Sequence, residues 1–404
     1  MGAEMRIERA GAARTRGGAR RQRLVGARLA LVFVCTFGAS SSFYLLLSVV
    51  PLYAASVGAG GLGAGLATGA LMLSTVATEL VTPRLVARFG YRLVLAAGLV
   101  LLGAPALALP PSTGMAAILL VCVVRGTGFA VAVVVGGALV ASLVPPERRG
   151  EGLGVAGIVV GVPGMVALPL GVWLVGRVDF PPVFVAGALA ALVVLLAVRG
   201  VPGRQQAPGE SLGVLAGLRT PALLRPAVLF STTAMAAGVV VTFLPIAASS
   251  ASKGLVPVAL LIQTAAATLT RWWAGRHGDR HGAARLLAPA MVAAAAGMLV
   301  LVLVANPVAV VLGMVVFGTG FGVAQNVTLA MMFERVGPGG YGTVSALWNL
   351  AYDAGLGAGA VGFGLLITPV GYPASFALTA GVLLVALALA RRARGATAPE
   401  APAR

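Results

Sequence analysis

Long apolar runs follow one another along nearly the whole sequence, and they limit the possible fold more than any other feature. A helix of roughly 20 apolar residues crosses a hydrocarbon core about 30 Å thick, and twelve runs of about that length are present. Hydrophobic residues make up 59% of the chain and charged residues only 10%. That apolar excess is too large for a water-soluble domain. The sequence therefore predicts an all-α integral membrane protein.

The predicted spans divide into two sets of six. They lie at about 29–53, 62–82, 93–109, 115–141, 153–176 and 182–198, and then at 226–248, 255–273, 286–304, 308–333, 342–367 and 374–390. The longest polar interruption, residues 199–225, predicts a cytoplasmic linker between one bundle at 29–198 and another at 226–390. Residues 1–28 and 391–404 are rich in arginine and predict cytoplasmic tails, the first of them disordered.

One phrase occurs in both halves. Arg125-Gly-Thr-Gly-Phe-Ala-Val-Ala132 recurs 192 residues later as Phe317-Gly-Thr-Gly-Phe-Gly-Val-Ala324, with six of eight positions identical. The same offset aligns Gly90 with Gly282. Because many carriers build a central substrate path from such repeats, we predict twelve transmembrane helices in two pseudo-symmetric six-helix bundles. The copies differ at their first residue, which is charged only in the first.

The formal net charge of +18 follows the topology of the predicted spans. If the helices alternate from an inside amino terminus, 26 of the 29 Lys and Arg lie in cytoplasmic segments. Arg177 and Lys253 alone lie outside, and Arg125 lies within a span. This is the positive-inside pattern. It predicts a multi-pass protein of the plasma (cytoplasmic) membrane with both termini cytoplasmic, whose basic surface meets anionic lipid rather than nucleic acid.

Three motifs resemble those of the major facilitator superfamily. After the second span comes Pro83-Arg-Leu-Val-Ala-Arg-Phe-Gly-Tyr-Arg92, with Gly275-Arg-His-Gly-Asp-Arg-His-Gly282 as its counterpart in the second half. Arg125 matches the family's fourth-helix arginine. The fifth span carries the glycines and prolines of an antiporter signature: Gly157, Gly161, Pro163, Gly164, Pro169 and Gly171. The match is incomplete, since Pro83, Ala87 and Leu168 replace the usual glycine, aspartate and glycine.

This resemblance implies roles for the matching residues. The two basic loops are expected to gate the cytoplasmic side through Arg84, Arg88, Gly90, Arg92, Gly275, Asp279, Arg280 and Gly282. Arg125 is expected to act in proton coupling. The fifth-span pattern is similar to that of drug:proton antiporters, which favours export over import.

Three charged residues within the spans are candidates for proton coupling. Arg125 lies about ten residues into its span, or roughly 15 Å, and Asp353 lies at a similar depth. Glu79 lies in the second span, one turn before Pro83. Such charges are costly in a membrane. We expect Asp353 or Glu79 to take up a proton whose affinity Arg125 sets. A fixed salt bridge, or pairing of Glu79 with an arginine in 84–92, is the structural alternative.

Few polar residues are available to line a cavity, which suits an amphipathic organic compound better than a sugar. The candidates lie in spans one, eight, ten and eleven: Phe43, Tyr44, Gln263, Gln325, Asn326, Trp348, Asn349 and Tyr352. No nucleophile–base set, metal-ligand cluster or phosphate-binding loop is visible, so we predict neither an enzyme nor a bound cofactor or metal.

The sequence thus predicts a monomeric exporter of the multidrug-resistance type, which moves a hydrophobic or amphipathic small molecule by proton antiport. The molecule is a drug or a secreted metabolite. Two alternatives stay open: a proton-coupled nutrient importer, and a receptor or scaffold that keeps the fold without transport.

Overall fold

The computed structural model describes residues 26–112, 114–144, 149–203, 217–249, 252–337 and 340–395. Most of the predicted tails and residues 204–216 of the predicted linker lie outside these ranges. All regular secondary structure in the described residues is helical.

We number the helices α1 to α12. In the first half they are α1 (Ala27–Leu47, continued by Val49–Ala54), α2 (Gly60–Phe89), α3 (Tyr91–Gly103), α4 (Met115–Leu143), α5 (Arg149–Val178) and α6 (Phe180–Leu192, continued by Leu195–Val198). The second half contains α7 (Pro221–Ala247), α8 (Val256–His281), α9 (Leu287–Val300) and α10 (Pro307–Phe333), and then Tyr341–Gly395, which a break at Gly371 divides into α11 (341–370) and α12 (372–395).

Ten helical stretches of the described residues are apolar and long enough to cross a membrane, and two of them must cross twice. Ala27–Phe89 has 63 residues and Tyr341–Arg392 has 52, whereas about 20 helical residues are enough for one crossing. Each contains a reversal at glycines with positive φ, namely Gly58 (97°) and Gly60 (60°) in one and Gly371 (75°) in the other. The chain is therefore a multi-pass membrane protein, and its described residues contain twelve helical segments.

Two helices extend well past the ends predicted from hydropathy. The predicted ends were 82 for α2 and 273 for α8, but these helices continue to Phe89 and His281. Hydropathy falls where the side chains become basic, yet the backbone stays helical until a glycine with positive φ ends it. These glycines are Gly90 (φ 78°) and Gly282 (φ 85°). Only a residue without Cβ adopts such a positive φ at little cost. Similarly, α7 begins at Pro221, inside the segment predicted as linker.

The 192-residue repeat is visible in the packing. A Cβ added to Gly128 of α4 would collide with the backbone of Gly98 and Leu102 in α3. A Cβ added to Gly320 of α10 would collide with the backbone of Ala290 and Ala294 in α9, at the same atoms. All three residue pairs are 192 apart, so the two halves pack their shared glycine motif in the same way.

The halves meet along two seams, which the repeat relates to each other. Helix α2 packs against α11, and α5 packs against α8. The connections α2–α3, α4–α5, α6–α7, α8–α9 and α10–α11 share one end of the bundle. We call it the basic face because its helix ends carry Arg84, Arg88, Arg92, Arg276, Arg280 and Arg285. The other end is the opposite face.

Candidate functional site

Two carboxyl groups meet at the seam between α2 and α11. Glu79 lies ten residues before the end of α2, and Asp353 lies twelve residues after the start of α11. Both are therefore about 15–18 Å from the basic face. The two side chains are hydrogen-bonded to each other, and Asp353 is only 5% exposed. Two ionised carboxylates in contact repel each other, so the contact favours a state in which the pair shares a proton.

On the opposite-face side of the carboxyl pair, glycines allow α2 to approach α11 closely. Gly61, Gly65 and Gly69 follow one another at spacings of four along α2. A Cβ on Gly65 would collide with the carbonyl of Ala360, and one on Gly69 would collide with Val361. Such small residues let helix backbones pack closely in lipid.

Hydrogen bonds add to this closure of the opposite face. The hydroxyls of Thr68 in α2 and Thr242 in α7 are 3.0 Å apart. Ser48, which interrupts α1, donates to the carbonyl of Val241 at 2.7 Å. All four residues lie between the carboxyl pair and the opposite face, so the halves are joined on that side.

Helix α5 leaves space on the other side of the site. Gly164 packs against the ring of Tyr44 in α1, with its added Cβ 3.3 Å from the ring. Gly161 and Gly157 lie on the same face of α5, at helical spacings of three and four, and nearer to the basic face. A Cβ at either position would meet nothing within 4 Å. The interior beside α5 is therefore less tightly packed at these two positions, on the side nearer the basic face.

Arg271 of α8 is a charged residue of this interior. It lies ten residues before the end of α8 and donates to Oε1 of Gln325 at 3.2 Å. Its guanidinium is 5.7 Å from the ring centre of Trp348. The hydroxyls of Tyr44 and Tyr352 are within electrostatic reach, yet the side chain is exposed. Because these neighbours come from α1, α10 and α11, the exposed surface of Arg271 faces the interior.

Arg271 was not predicted from the sequence as a functional residue. With a span predicted to end at 273, Arg271 was counted among the charges of the α8–α9 connection. The repeat offset contained the missing signal, because Arg271 lies 192 residues after Glu79. A charge in one half therefore has an opposite charge at the equivalent position of the other half.

Stacked rings form a wall beside Arg271. The ring of Phe230 in α7 lies 4.3 Å from that of Trp348 at an interplanar angle of 10°. Tyr352 continues the stack 6.4 Å from Trp348. The indole Nε1 donates to the hydroxyl of Thr328 at 3.3 Å, which fixes the orientation of the ring. Phe230 is buried, whereas Trp348 and Tyr352 are half-buried.

The profile of the Major Facilitator Superfamily matches residues 32–360 of this sequence. The chain belongs to the Major Facilitator Superfamily. It is accordingly a membrane transporter of small molecules and not an enzyme. No curated protein matches the sequence.

Solved structures of this superfamily share the fold. A crystal structure of the nucleoside transporter NupG superposes with a TM-score of 0.69 at 17% sequence identity, covering 90% of this chain and 98% of NupG. A mutant form of NupG gives a TM-score of 0.70, also at 17% identity, and covers 90% of this chain and 99% of its own. At this level of identity the likeness extends to the fold alone.

The fourth-helix arginine of this transporter is not in contact with the carboxyl pair. Arg125 is 1% exposed. Its Nη1 donates to the carbonyl of Leu102 at 2.8 Å and its Nη2 to that of Ser42 at 3.3 Å. Both carbonyls belong to the first half, in α3 and α1. The role of Arg125 in setting the proton affinity of Asp353 or Glu79 stays a prediction: Arg125 points into its own bundle, while Asp353 meets α2.

Pairing of Glu79 with a basic-loop arginine is corrected, since Glu79 bonds to the other carboxyl group. Of the loop arginines, Arg92 donates through Nε and Nη2 to the carbonyl of Val201, at 3.0 and 2.9 Å. Arg88 lies over the ring of Phe89. The side chains of Arg84, Asp279 and Arg280 are exposed, and Gly275 packs beside Asn326.

The predicted cavity residues divide into two groups. One group lies around Arg271 and consists of Tyr44, Gln325, Trp348 and Tyr352. Asn326 and Asn349, which are close to members of this group in the sequence, are half-buried. Phe43 and Gln263, by contrast, belong to the packed interior of their bundles. Phe43 is 2% exposed with its ring 3.6 Å from that of Phe129. Gln263 is 4% exposed, and Gly318 packs against its backbone.

The antiporter-like residues of α5 also divide by position. Gly157 and Gly161 face open space, and Gly164 meets Tyr44. Gly171 packs against the carbonyl of Leu45 in α1, where a Cβ would collide. Pro163 and Pro169 lie inside the helix. The half of α5 near the opposite face is thus fixed to α1, and the half near the basic face borders the opening.

Proposed function

We propose that this protein is a secondary active transporter that exports a hydrophobic or amphipathic small molecule in exchange for protons, by alternating access between its two halves. The observation that carries the proposal is the hydrogen-bonded pair of Glu79 and Asp353. It lies at the seam that must open and close if the site is to face each side of the membrane in turn.

The pair supports proton coupling because its chemistry depends on whether the seam is closed. In contact, the two carboxyl groups need a shared proton. When the seam opens and water enters, each group is solvated separately and ionises more readily. Protonation therefore favours the closed α2–α11 seam, and loss of the proton favours its opening. Such reciprocity between a bound proton and a conformation is what coupled transport requires.

Two features support export. The positive-inside pattern assigns the basic face, and with it both termini, to the cytoplasm. An exporter would take up its substrate from this face, the side on which Gly157 and Gly161 of α5 meet open space. The glycine and proline pattern of α5 resembles that of drug:proton antiporters. The stacked rings of α7 and α11, with few polar groups among them, suit an amphipathic substrate.

Everted membrane vesicles with an acidic lumen provide the test. We expect amphipathic aromatic dyes to accumulate in the lumen of vesicles containing the parent protein. Accumulation should be lost with Glu79→Gln and Asp353→Asn, and should persist with Glu334→Gln, which alters an exposed carboxyl group at the basic-face end of α10. Accumulation that ignores the pH gradient would overturn proton coupling. Movement only in the reverse direction would make the protein an importer.

A further inference from the structure

We propose that Arg271, Gln325 and the face of the Trp348 ring turned away from Phe230 form a subsite for a flat aromatic substrate that carries an acidic group. The guanidinium binds the acidic group and the indole supports the ring. This inference names the substrate class of the transporter proposed above and rests on that proposal.

The charge of Arg271 has no counter-ion in the site. A cation at this depth is costly unless it faces water or pairs with an anion. Its guanidinium contacts a neutral amide and an indole. Among the described residues, no carboxylate forms an ion pair with it. A guanidinium carries several N–H donors, of which one donates to Gln325, so others remain for a ligand. A carboxylate would use two of them side by side.

The repeat accounts for the space beside Arg271. Across the α2–α11 seam, Glu79 meets Asp353. The equivalent residues of the α8–α5 seam are Arg271 and Gly161, each 192 residues removed. One seam thus joins two acids, while the other combines a base with a residue that has no side chain. A Cβ at Gly161 would meet nothing within 4 Å. The position that a carboxyl group occupies in one seam is open in the other.

The ring of Trp348 provides the second part of the subsite. Phe230 stacks on the indole at 4.3 Å, which leaves no room on that face for another group. Arg271 therefore lies over the other face, which is the one turned to the interior. A flat ring placed there would stack on the indole with its acidic substituent at the guanidinium. Aromatic and guanidinium surfaces both favour such stacking.

The subsite is separate from the carboxyl pair. Tyr44 has electrostatic contact with both Asp353 and Arg271, and Tyr352 has the same two neighbours. Both phenol groups are therefore within electrostatic reach of the acidic seam and of Arg271. An acidic substituent at Arg271 is held away from the pair, and the rest of the substrate extends along Tyr352 toward it.

A matched pair of probes tests this subsite in purified protein in nanodiscs of uncharged lipid. The probes are 1-naphthoate and 1-naphthamide, which share the same ring and differ in charge. Equilibrium dialysis should give at least about tenfold tighter binding of the naphthoate by the parent protein. Arg271→Met should remove the preference, and Arg271→Lys should keep part of it. Trp348→Leu should weaken both probes.

The control is Arg276→Met. Arg276 lies on the same helix, 4.9 Å from the ring centre of Trp272, but both residues are exposed outside the interior. Its loss should leave the naphthoate preference unchanged. Equal affinities in the parent, or a preference that survives Arg271→Met, would overturn the subsite. Equilibrium binding needs no proton gradient, so the two proposals can fail separately. A naphthoate preference without proton-coupled flux would overturn the proposed function alone. Proton-coupled flux of neutral compounds only would overturn the subsite alone.

Discussion

At the scale of single residues, the balance of charge in the interior is unusual for a membrane protein. Two acids, Glu79 and Asp353, satisfy each other by sharing a proton, while one base, Arg271, faces the interior without a counter-ion. Arg125, which is buried, is bonded to backbone carbonyls. The groups that change state are therefore the acids, and the two bases differ in role. Arg271 is proposed to bind the substrate, whereas Arg125 of α4 bonds to the backbones of α1 and α3.

The variant Asp353→Asn should reduce the pH dependence of stability. The amide keeps a hydrogen bond to Glu79. At low pH the free energy of unfolding of the variant should therefore stay within about 1 kcal/mol of that of the parent. At high pH the variant should be the more stable protein, because the parent then holds two negative charges in contact. Thermal unfolding followed across pH measures this, with Asp279→Asn as the control. An unchanged pH dependence would mean that the pair does not titrate.

Arg125→Ala should act on stability and leave the titration of the pair unchanged. The change removes a fully buried side chain and two hydrogen bonds, which is expected to cost about 3 kcal/mol. Arg125→Lys should cost less, since part of the packing and the charge remain. Thermal unfolding of the parent and both variants across pH measures the stability change and the pH midpoint of the pair. A shift of the pH midpoint in Arg125→Lys would restore the coupling role that the sequence suggested.

The sequence could predict Asp353 and Glu79 as candidates because charges stand out within apolar runs. It could not predict that they meet, since they are 274 residues apart and their contact depends on how the two bundles dock. Arg271 was missed for a different reason. Hydropathy measures side chains, and it ended α8 eight residues before the backbone does. The packing of Phe43 and Gln263 within their own bundles could not be predicted, because residue type alone does not say which face of a helix meets the substrate path.

At the scale of helices, glycine has two different uses in this transporter. In α2, the series Gly61, Gly65 and Gly69 brings the backbone against α11. In α5, Gly157 and Gly161 face open space. Both series have helical spacing, and only the structure shows which of them meets a neighbouring helix and which meets open space.

Gly65→Val should open the α2–α11 seam. A side chain there collides with the Ala360 carbonyl, which belongs to a helix backbone and cannot move aside. The reaction of Thr242→Cys with a water-soluble maleimide should therefore become faster, by about tenfold for 1.4 kcal/mol of lost seam stability. Gly157→Val is the matched control, since its side chain meets open space. Equal rates in both backgrounds would show that the seam does not depend on the glycine.

At the scale of the whole molecule, the two halves repeat each other closely in their helices and differ in their charges. The all-helical membrane fold and the offset of 192 residues were readable from the sequence, because apolar length and repeated glycines are local signals. The conformation of the transporter could not be predicted from the sequence. Closure toward the opposite face and opening toward the basic face depend on contacts between bundles, which no local pattern contains.

Raising the pH should shift this conformation. Loss of the shared proton puts like charges in contact across the α2–α11 seam, so that seam should open while the α5–α8 seam closes. Spin labels at Leu62 and Leu365, both exposed near the opposite face, should move apart. Labels at Gly157 and Thr268, both exposed on the open side, should approach each other. Neither distance should respond to pH in a Glu79→Gln, Asp353→Asn double variant.

The central claim is that Glu79 and Asp353 share a proton which is lost when the pair separates. Infrared difference spectroscopy of the protein in lipid, recorded while the pH is raised, tests it without knowledge of the substrate. We predict a carbonyl band of a protonated carboxyl group that disappears as carboxylate bands grow, and that is absent from the difference spectrum of the Glu79→Gln, Asp353→Asn double variant. A parent spectrum without this band, or a band that the double variant retains, would contradict the account.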